Sequence, residues 1–189
     1  MTHLNILVLG QLNGTWNGGY AVELQHRLPA LLVLYQKQCH VPLDTYHFGS
    51  ELQTFIRRGG YVHYALGQPI TEGAESPLFG FATVANSNSL LEYLFPVERF
   101  IVDGSLDPDT QLAVATALIK SITDQAEAAL NGRPDDIWIQ VSFPAGADSL
   151  ESNQAAYTAL EQGGFKACRS PGQVYWTNWL KQPPARAAA

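Results

Sequence analysis

The sequence predicts an α/β (α+β) fold: a mixed sheet in which an antiparallel meander is followed by parallel strands, with helices on both faces. Three observations carry that reading. Apolar runs at residues 4–9 and 137–143 have the length and continuity of buried strands. Two β-rich segments, 61–66 and 78–85, flank a stretch containing Gly, Pro and Glu that suits a hairpin loop. Later strands alternate with helical repeats, which implies parallel neighbours there, whereas the meander implies antiparallel ones.

The elements follow in order. After the first strand, turn residues mark a loop at 13–19. A helix is expected between residues 20 and 38, either kinked at Pro29 or restarted there, because proline cannot donate to the helical ladder. A short helix at 50–58 places Leu52, Phe55 and Ile56 on one face, ends on Arg57 and Arg58, and stops at Gly59-Gly60. A third meander strand lies within 90–102, with Pro96 predicting a bulge or break.

Asp107 can cap the longest helix, Pro108 suits its first position, and Asp109 favours the positive end of the dipole. Leu112, Ala115, Ile119, Ile122, Ala126 and Ala129 repeat at helical spacing up to Asn131-Gly132. Asp148 and Glu151 resemble a capping box for one more helix, ending at Gly163-Gly164. Residues 174–180 form the last strand.

With 189 residues, 46% hydrophobic and 15% charged, the chain can bury a full core and is too apolar for disorder. The expectation is one domain over 1–181 and a flexible C-terminal tail at 182–189. No run approaches the roughly 18 apolar residues that span a bilayer. The start carries no basic segment, so a cytoplasmic protein without a membrane association is expected. A net charge of −6 argues against nucleic acid as a partner. Cys39 and Cys168 fit no metal or redox spacing and read as ordinary buried thiols, and His3, His26 and His40 show no metal spacing.

One local pattern speaks to family. Asn153, Ala156, Gly164 and Phe165 occupy fixed offsets on the last predicted helix and its end. That spacing, with the element order, resembles the GNAT (GCN5-related N-acetyltransferase) superfamily, whose domains often carry Asn-x-x-Ala-x-x-x-Tyr-x-x-x-Gly-Phe there. The resemblance implies a divergent GNAT-like fold and an N-acyltransferase that passes an acyl group directly from acetyl-CoA or another acyl-CoA to a small-molecule or peptide amine. It implies that the backbone at Val102 and Gly104 holds the pantetheine. Gln111, Leu112, Ala113, Val114, Ala115 and Thr116 would hold the pyrophosphate, and Asn153 would support the cofactor. A base on or near the fourth strand falls to Glu98 or Glu92, and Tyr157 is the nearest candidate acid.

The chain departs from the family pattern at several positions. Leu160 stands where the family's proton-donating Tyr is expected. Thr110 and Ala113 replace an Arg or Gln and a Gly of the pyrophosphate motif. Asp107 and Asp109 place negative charge where a diphosphate should sit. His47 and His63 are further candidate bases. These departures support an alternative expectation: a catalytically inactive GNAT-like binding or structural protein that uses the cleft or an aromatic surface, including Trp176 and Trp179, to hold a ligand or partner chain. A homodimer is compatible with the usual symmetry of oligomers.

Overall fold

Seven strands form one mixed sheet in the computed structural model, which describes residues 3–10, 19–39, 44–69, 71–85, 94–130, 136–144, 151–171 and 173–180. The order is β1 (Asn5–Leu9), α1 (Gly19–Cys39), α2 (Thr45–Arg57), β2 (Tyr61–Leu66), β3 (Leu78–Val84) and β4 (Leu94–Val102), followed by α3 (Pro108–Leu130), β5 (Ile137–Pro144), α4 (Glu151–Gln162), β6 (Lys166–Ser170) and β7 (Gln173–Leu180). Of the expected loop at 13–19, only Gly19 is described, and it opens α1; Glu92, the Asp148 cap and the tail at 182–189 lie outside the described residues.

Across the sheet the strands run β1-β2-β3-β4-β5-β7-β6. β1 to β4 are antiparallel neighbours. The parallel relation expected of the later strands holds for β4 and β5. β7 is antiparallel to β5, because it returns through a hairpin from β6, a strand the sequence reading does not contain. Lys166-Ala-Cys-Arg-Ser170 lacks apolar alternation, and all five residues are exposed at the sheet edge. Cys168 is therefore an exposed thiol rather than a buried one; the side chain of Cys39 lies outside the description.

The local signals differ from expectation at three other places. α2 begins five residues before the predicted start at 50, because the Asp44 carboxylate accepts the His47 N–H at 2.7 Å and caps the helix. α1 continues through Pro29, which is exposed, as one helix. β4 is not broken at Pro96, whose carbonyl accepts the Ala85 N–H at 2.9 Å; the irregularity comes two residues later, at Glu98.

Strand alternation divides the core in two. Val62, Tyr64 and Leu66 of β2 pack with Leu24, Leu31, Phe48, Leu52 and Ile56 of α1 and α2. Ala65 of the same strand faces the other way, toward Val114, Leu118 and Ile122 of α3 and Ala156 and Leu160 of α4. Gly80 is required in this second layer: a Cβ there would lie 2.7 Å from the Ile101 carbonyl oxygen and 2.9 Å from Val114 Cγ1.

His63 is fully buried between β2 and α3. A neutral imidazole satisfies both nitrogens: Nε2 donates to Gln125 Oε1 at 2.7 Å, and Nδ1 accepts from the Ser121 hydroxyl at 2.8 Å. Burial is the main cause that lowers its pKa from 6.5 to about 4, against the opposing effect of the hydrogen bond donated to Gln125. His63 is thereby a packing histidine that pins α3 to the sheet.

Two predictions follow from this packing. Gly80→Ala should lower stability by about 1–3 kcal/mol, since the nearest obstacle is backbone and cannot rotate away; urea unfolding reads this directly, and an unchanged midpoint contradicts the close approach. For His63, the unfolded chain takes up a proton near pH 6.5 and the folded chain only near 4. Its contribution is therefore complete above pH 6.5 and is lost as pH falls toward 4, by about 1.4 kcal/mol per pH unit and roughly 3 kcal/mol in all. His63→Gln should flatten that part of the stability profile; equal acid losses in both proteins would assign the effect to other groups.

Candidate functional site

β4 and β5 pair from Leu94–Trp138 to Val97–Val141 and no further, although β4 continues to Val102 and β5 to Pro144. Beyond that point β5 is held by β7 alone, through pairs such as Ser142–Tyr175. The Asp103 N–H turns toward β3, donating to the Phe79 carbonyl at 2.8 Å. By strand alternation, the N–H and C=O of Val102 face the side from which β5 has diverged. The parting strands thus form a V-shaped cleft.

Aromatic rings fill the α3/α4 face of this V. Phe100 of β4 and Phe143 of β5 meet edge-on at 6.3 Å, Phe143 meets Tyr157 of α4 at 5.0 Å, and Tyr157 stacks on Trp176 of β7 at 5.5 Å. Past the end of β4 lies a cavity of about 470 Å³, within the usual range for small-molecule sites. One wall is Gly104, Leu106, Pro108, Asp109, Gln111 and Leu112, at the entry to α3; Gln154, Ala155 and Thr158 of α4 form the other.

The loop into α3 spends most of its polar groups on itself, with Lys37 of α1 also 4.0 Å from the Asp103 carboxylate. Asp103 accepts the Ser105 N–H at 3.0 Å and the Ser105 hydroxyl at 2.7 Å, and its carbonyl accepts the Leu106 N–H at 3.2 Å. Asp107 is the helix cap: its carboxylate accepts the Thr110 N–H at 3.0 Å, and its carbonyl accepts the Gln111 N–H at 2.9 Å. Hydrogen bonds from the Thr110 side chain and backbone hold the Asp107 carboxyl below its usual pKa, so it is anionic near neutrality. Gln111 is buried, and its amide donates to the Leu106 carbonyl at 2.6 Å and the Gly104 carbonyl at 3.4 Å. Among the described residues, the one charged group on the cavity wall is Asp109.

The sequence-predicted residues separate into groups. Gly104, Gln111 and Leu112 line the cavity, and Val102 borders the cleft. Val114 and Ala115 are fully buried in the core, and Ala113 is half-buried within α3. Thr116 is exposed and donates its hydroxyl to the Leu112 carbonyl at 2.8 Å. Asn153 is only 4% exposed, on the inner face with Ala156, whereas its neighbours Gln154 and Ala155 face the cavity. Glu98 is the exposed extra residue of the β4 bulge, and Tyr157 sits in the aromatic stack. His47 is bound to Asp44 at the α2 cap, with Nδ1 2.6 Å from the carboxylate.

The Gly-Phe part of the α4 motif has a plain structural role. Gly164 adopts a left-handed φ of 83°, and the Phe165 N–H donates to the Leu160 carbonyl at 2.9 Å, closing the helix. The cavity residues on α4 are not among the sequence candidates. Gln154 and Thr158, at i and i+4, share a helix face opposed to the buried Asn153, Ala156 and Leu160, and that periodicity was the available signal. Among the described residues, no three His, Cys, Asp or Glu side chains gather as metal ligands, and no helix is long and apolar enough to cross a membrane.

No protein-family model and no curated protein sequence matches the chain. Solved structures do. The Salmonella typhimurium protein yncA, solved with its cofactor acetyl-CoA, aligns over 97% of this chain and 99% of its own, with a TM-score of 0.60 at 12% identity. A Brucella melitensis ribosomal-protein-alanine N-acetyltransferase aligns over 92% and 99%, at 0.57 and 15% identity. Arabidopsis thaliana NAA60, solved with a bisubstrate analogue, aligns over 94% and 100%, at 0.57 and 13% identity. A Staphylococcus aureus acetyltransferase of the GNAT family aligns over 95% and 100%, at 0.54 and 12% identity. Identity this low speaks to architecture, and the architecture agrees from end to end: this chain has the fold of the GNAT acetyltransferases.

Proposed function

We propose that the protein is an acyltransferase that passes an acyl group directly from a thioester, in the manner of acetyl-CoA, to an amine. The observation that carries this reading is the parting of β4 from β5, together with a cavity at the α3–α4 junction just past the end of β4. The solved structures of like fold are acetyltransferases, which supports the same reading.

Two parts of such a donor meet different surroundings. Leu106, Pro108, Leu112 and Ala155 offer apolar contact, and Gln154 and Thr158 offer neutral hydrogen-bonding groups. These fit an uncharged amide arm. A diphosphate fits poorly, because among the described residues the cavity wall supplies a carboxylate and no cation.

In the reaction, the amine nitrogen attacks the thioester carbonyl, the C–N bond forms, the C–S bond breaks, and the sulfur leaves as a thiolate. The chain must accept one proton from the amine and supply one to the sulfur. Glu98, exposed on the bulge where β4 turns from β5, is assigned the first task, acting through water. Tyr157 is assigned the second, because Leu160 carries no proton to give. The Val102 backbone would align the thioester by strand-like hydrogen bonds. The acceptor is a small-molecule or peptide amine.

Incubation with acetyl-CoA and a panel of amino acids, polyamines and peptides, followed by mass spectrometry, should reveal an amine heavier by one acetyl group. If no acyl thioester binds at millimolar concentration, the reading fails. Once an acceptor is known, Glu98→Gln and Tyr157→Phe should each lower kcat by about 10²-fold with little change in KM. Unchanged kcat in either variant would remove that residue from proton transfer.

A further inference from the structure

The disagreement between the cavity and a diphosphate has a consequence for donor choice. A helix N-terminus binds phosphate through N–H groups that have no other partner, aided by the dipole. At the start of α3 those donors are committed. Ser105 and Leu106 donate to Asp103, Thr110 and Gln111 donate to Asp107, and Pro108 has no N–H. The Gln111 amide is occupied by the carbonyls of Gly104 and Leu106. What the helix start presents outward is negative: the Asp107 carboxylate, held ionised by Thr110, and the exposed Asp109 carboxylate on the cavity wall. Among the described residues nothing cationic lines the cavity to offset them, and Lys37 of α1, 4.0 Å from the Asp103 carboxylate, faces a carboxylate of the loop itself. The remaining walls are apolar or neutral amide and hydroxyl groups.

We infer that this site selects its donor by the uncharged pantetheine arm of an acyl thioester and gains no affinity from a nucleotide diphosphate. The donor class is then pantetheine thioesters at large, with acyl-CoA one member and not a favoured one. This inference rests on the acyl-transfer reading of the same cleft. It differs from that reading in what it requires: acyl transfer needs a thioester to bind, whereas selection by the arm needs the nucleotide to be dispensable.

Calorimetric titration of the full chain with acetyl-CoA and with S-acetyl-pantetheine separates the two. The expected result is dissociation constants within about threefold of each other. Affinity for acetyl-CoA should rise as salt is added, because the screened interaction is a repulsion. The double variant Asp107→Asn, Asp109→Asn keeps a capping side chain at the helix start, so folding is preserved. It should tighten acetyl-CoA by about fivefold or more and move S-acetyl-pantetheine much less. If the wild-type protein binds acetyl-CoA about tenfold tighter than S-acetyl-pantetheine, with affinity falling as salt rises, the inference is overturned and the acyl-transfer reading stands. If neither compound binds at millimolar concentration, both are overturned.

Discussion

β4 must keep one apolar face toward α3 and α4 along its whole length while it leaves β5 halfway. A regular strand presents every second residue to one face, yet the residues of β4 in the α3 layer are Phe95 and Val97, then Phe100 and Val102. The change from odd to even numbers is possible because Glu98 is an extra residue, unpaired between Val97–Val84 and Arg99–Thr83. Without it, Phe100 and Val102 would turn toward α1 and α2, since a one-residue slip exchanges the faces of a strand. A bulge also bends its strand and increases the local twist. Pairing of β4 with β5 ends at Val97, where the bulge begins. The residue that keeps the core continuous thus also marks where the cleft opens.

Partners on both layers hold that bend in place. On the α1/α2 side, Arg99 lies 5.6 Å from the centre of the Tyr35 ring and donates to Glu51 at 2.9 Å, linking β4 to both helices. On the other side, Phe100 meets Phe143 across the parted strands. Packed rings therefore bridge the parted strands on this face, and beyond them the chain runs from β4 into the α3 entry. There a competition is decided locally. A helix end can offer its N–H groups to a ligand or to its own cap, and Asp107 takes them for the cap. Two residues on, Asp109 places a carboxylate on the cavity wall.

Most of the fold was legible because burial writes a period into the sequence. The α3 repeat, the β2 and β3 pair and the β5 run each place apolar residues at the spacing of their element, and the structure has those elements within a residue or two of the predicted limits. β6 was not legible for the same reason: a strand exposed on every residue has no apolar period to read. Its absence from the reading also hid the reversal of β7. The α2 start was missed because Asp44 acts through a single cap and leaves no repeat. For the site, the pyrophosphate pattern pointed to residues 111–116, but Val114 and Ala115 fall on the core face of a helix already under way. The cavity lies earlier, on 104–112, where loop geometry rather than residue spacing determines which atoms face outward.

The α4 motif raises the same distinction between shape and chemistry at closer range. Leu160 is fully buried against the sheet and gives its carbonyl to the closing hydrogen bond from Phe165. Its side chain fills an apolar layer, and a hydroxyl there would need a buried partner to avoid a desolvation cost. Tyr157 lies three residues earlier, about 60° around the helix and roughly 4.5 Å along it. That displacement takes it from the core layer to the ring stack between Phe143 and Trp176. Phe143 is two residues beyond the last β4–β5 pair, so the Tyr157 ring stands beside the parted strands. The motif therefore keeps in this chain what shapes the helix, namely Ala156 packed inward and Gly164 and Phe165 at its end, while the phenol beside the cleft comes from a different turn of the same helix.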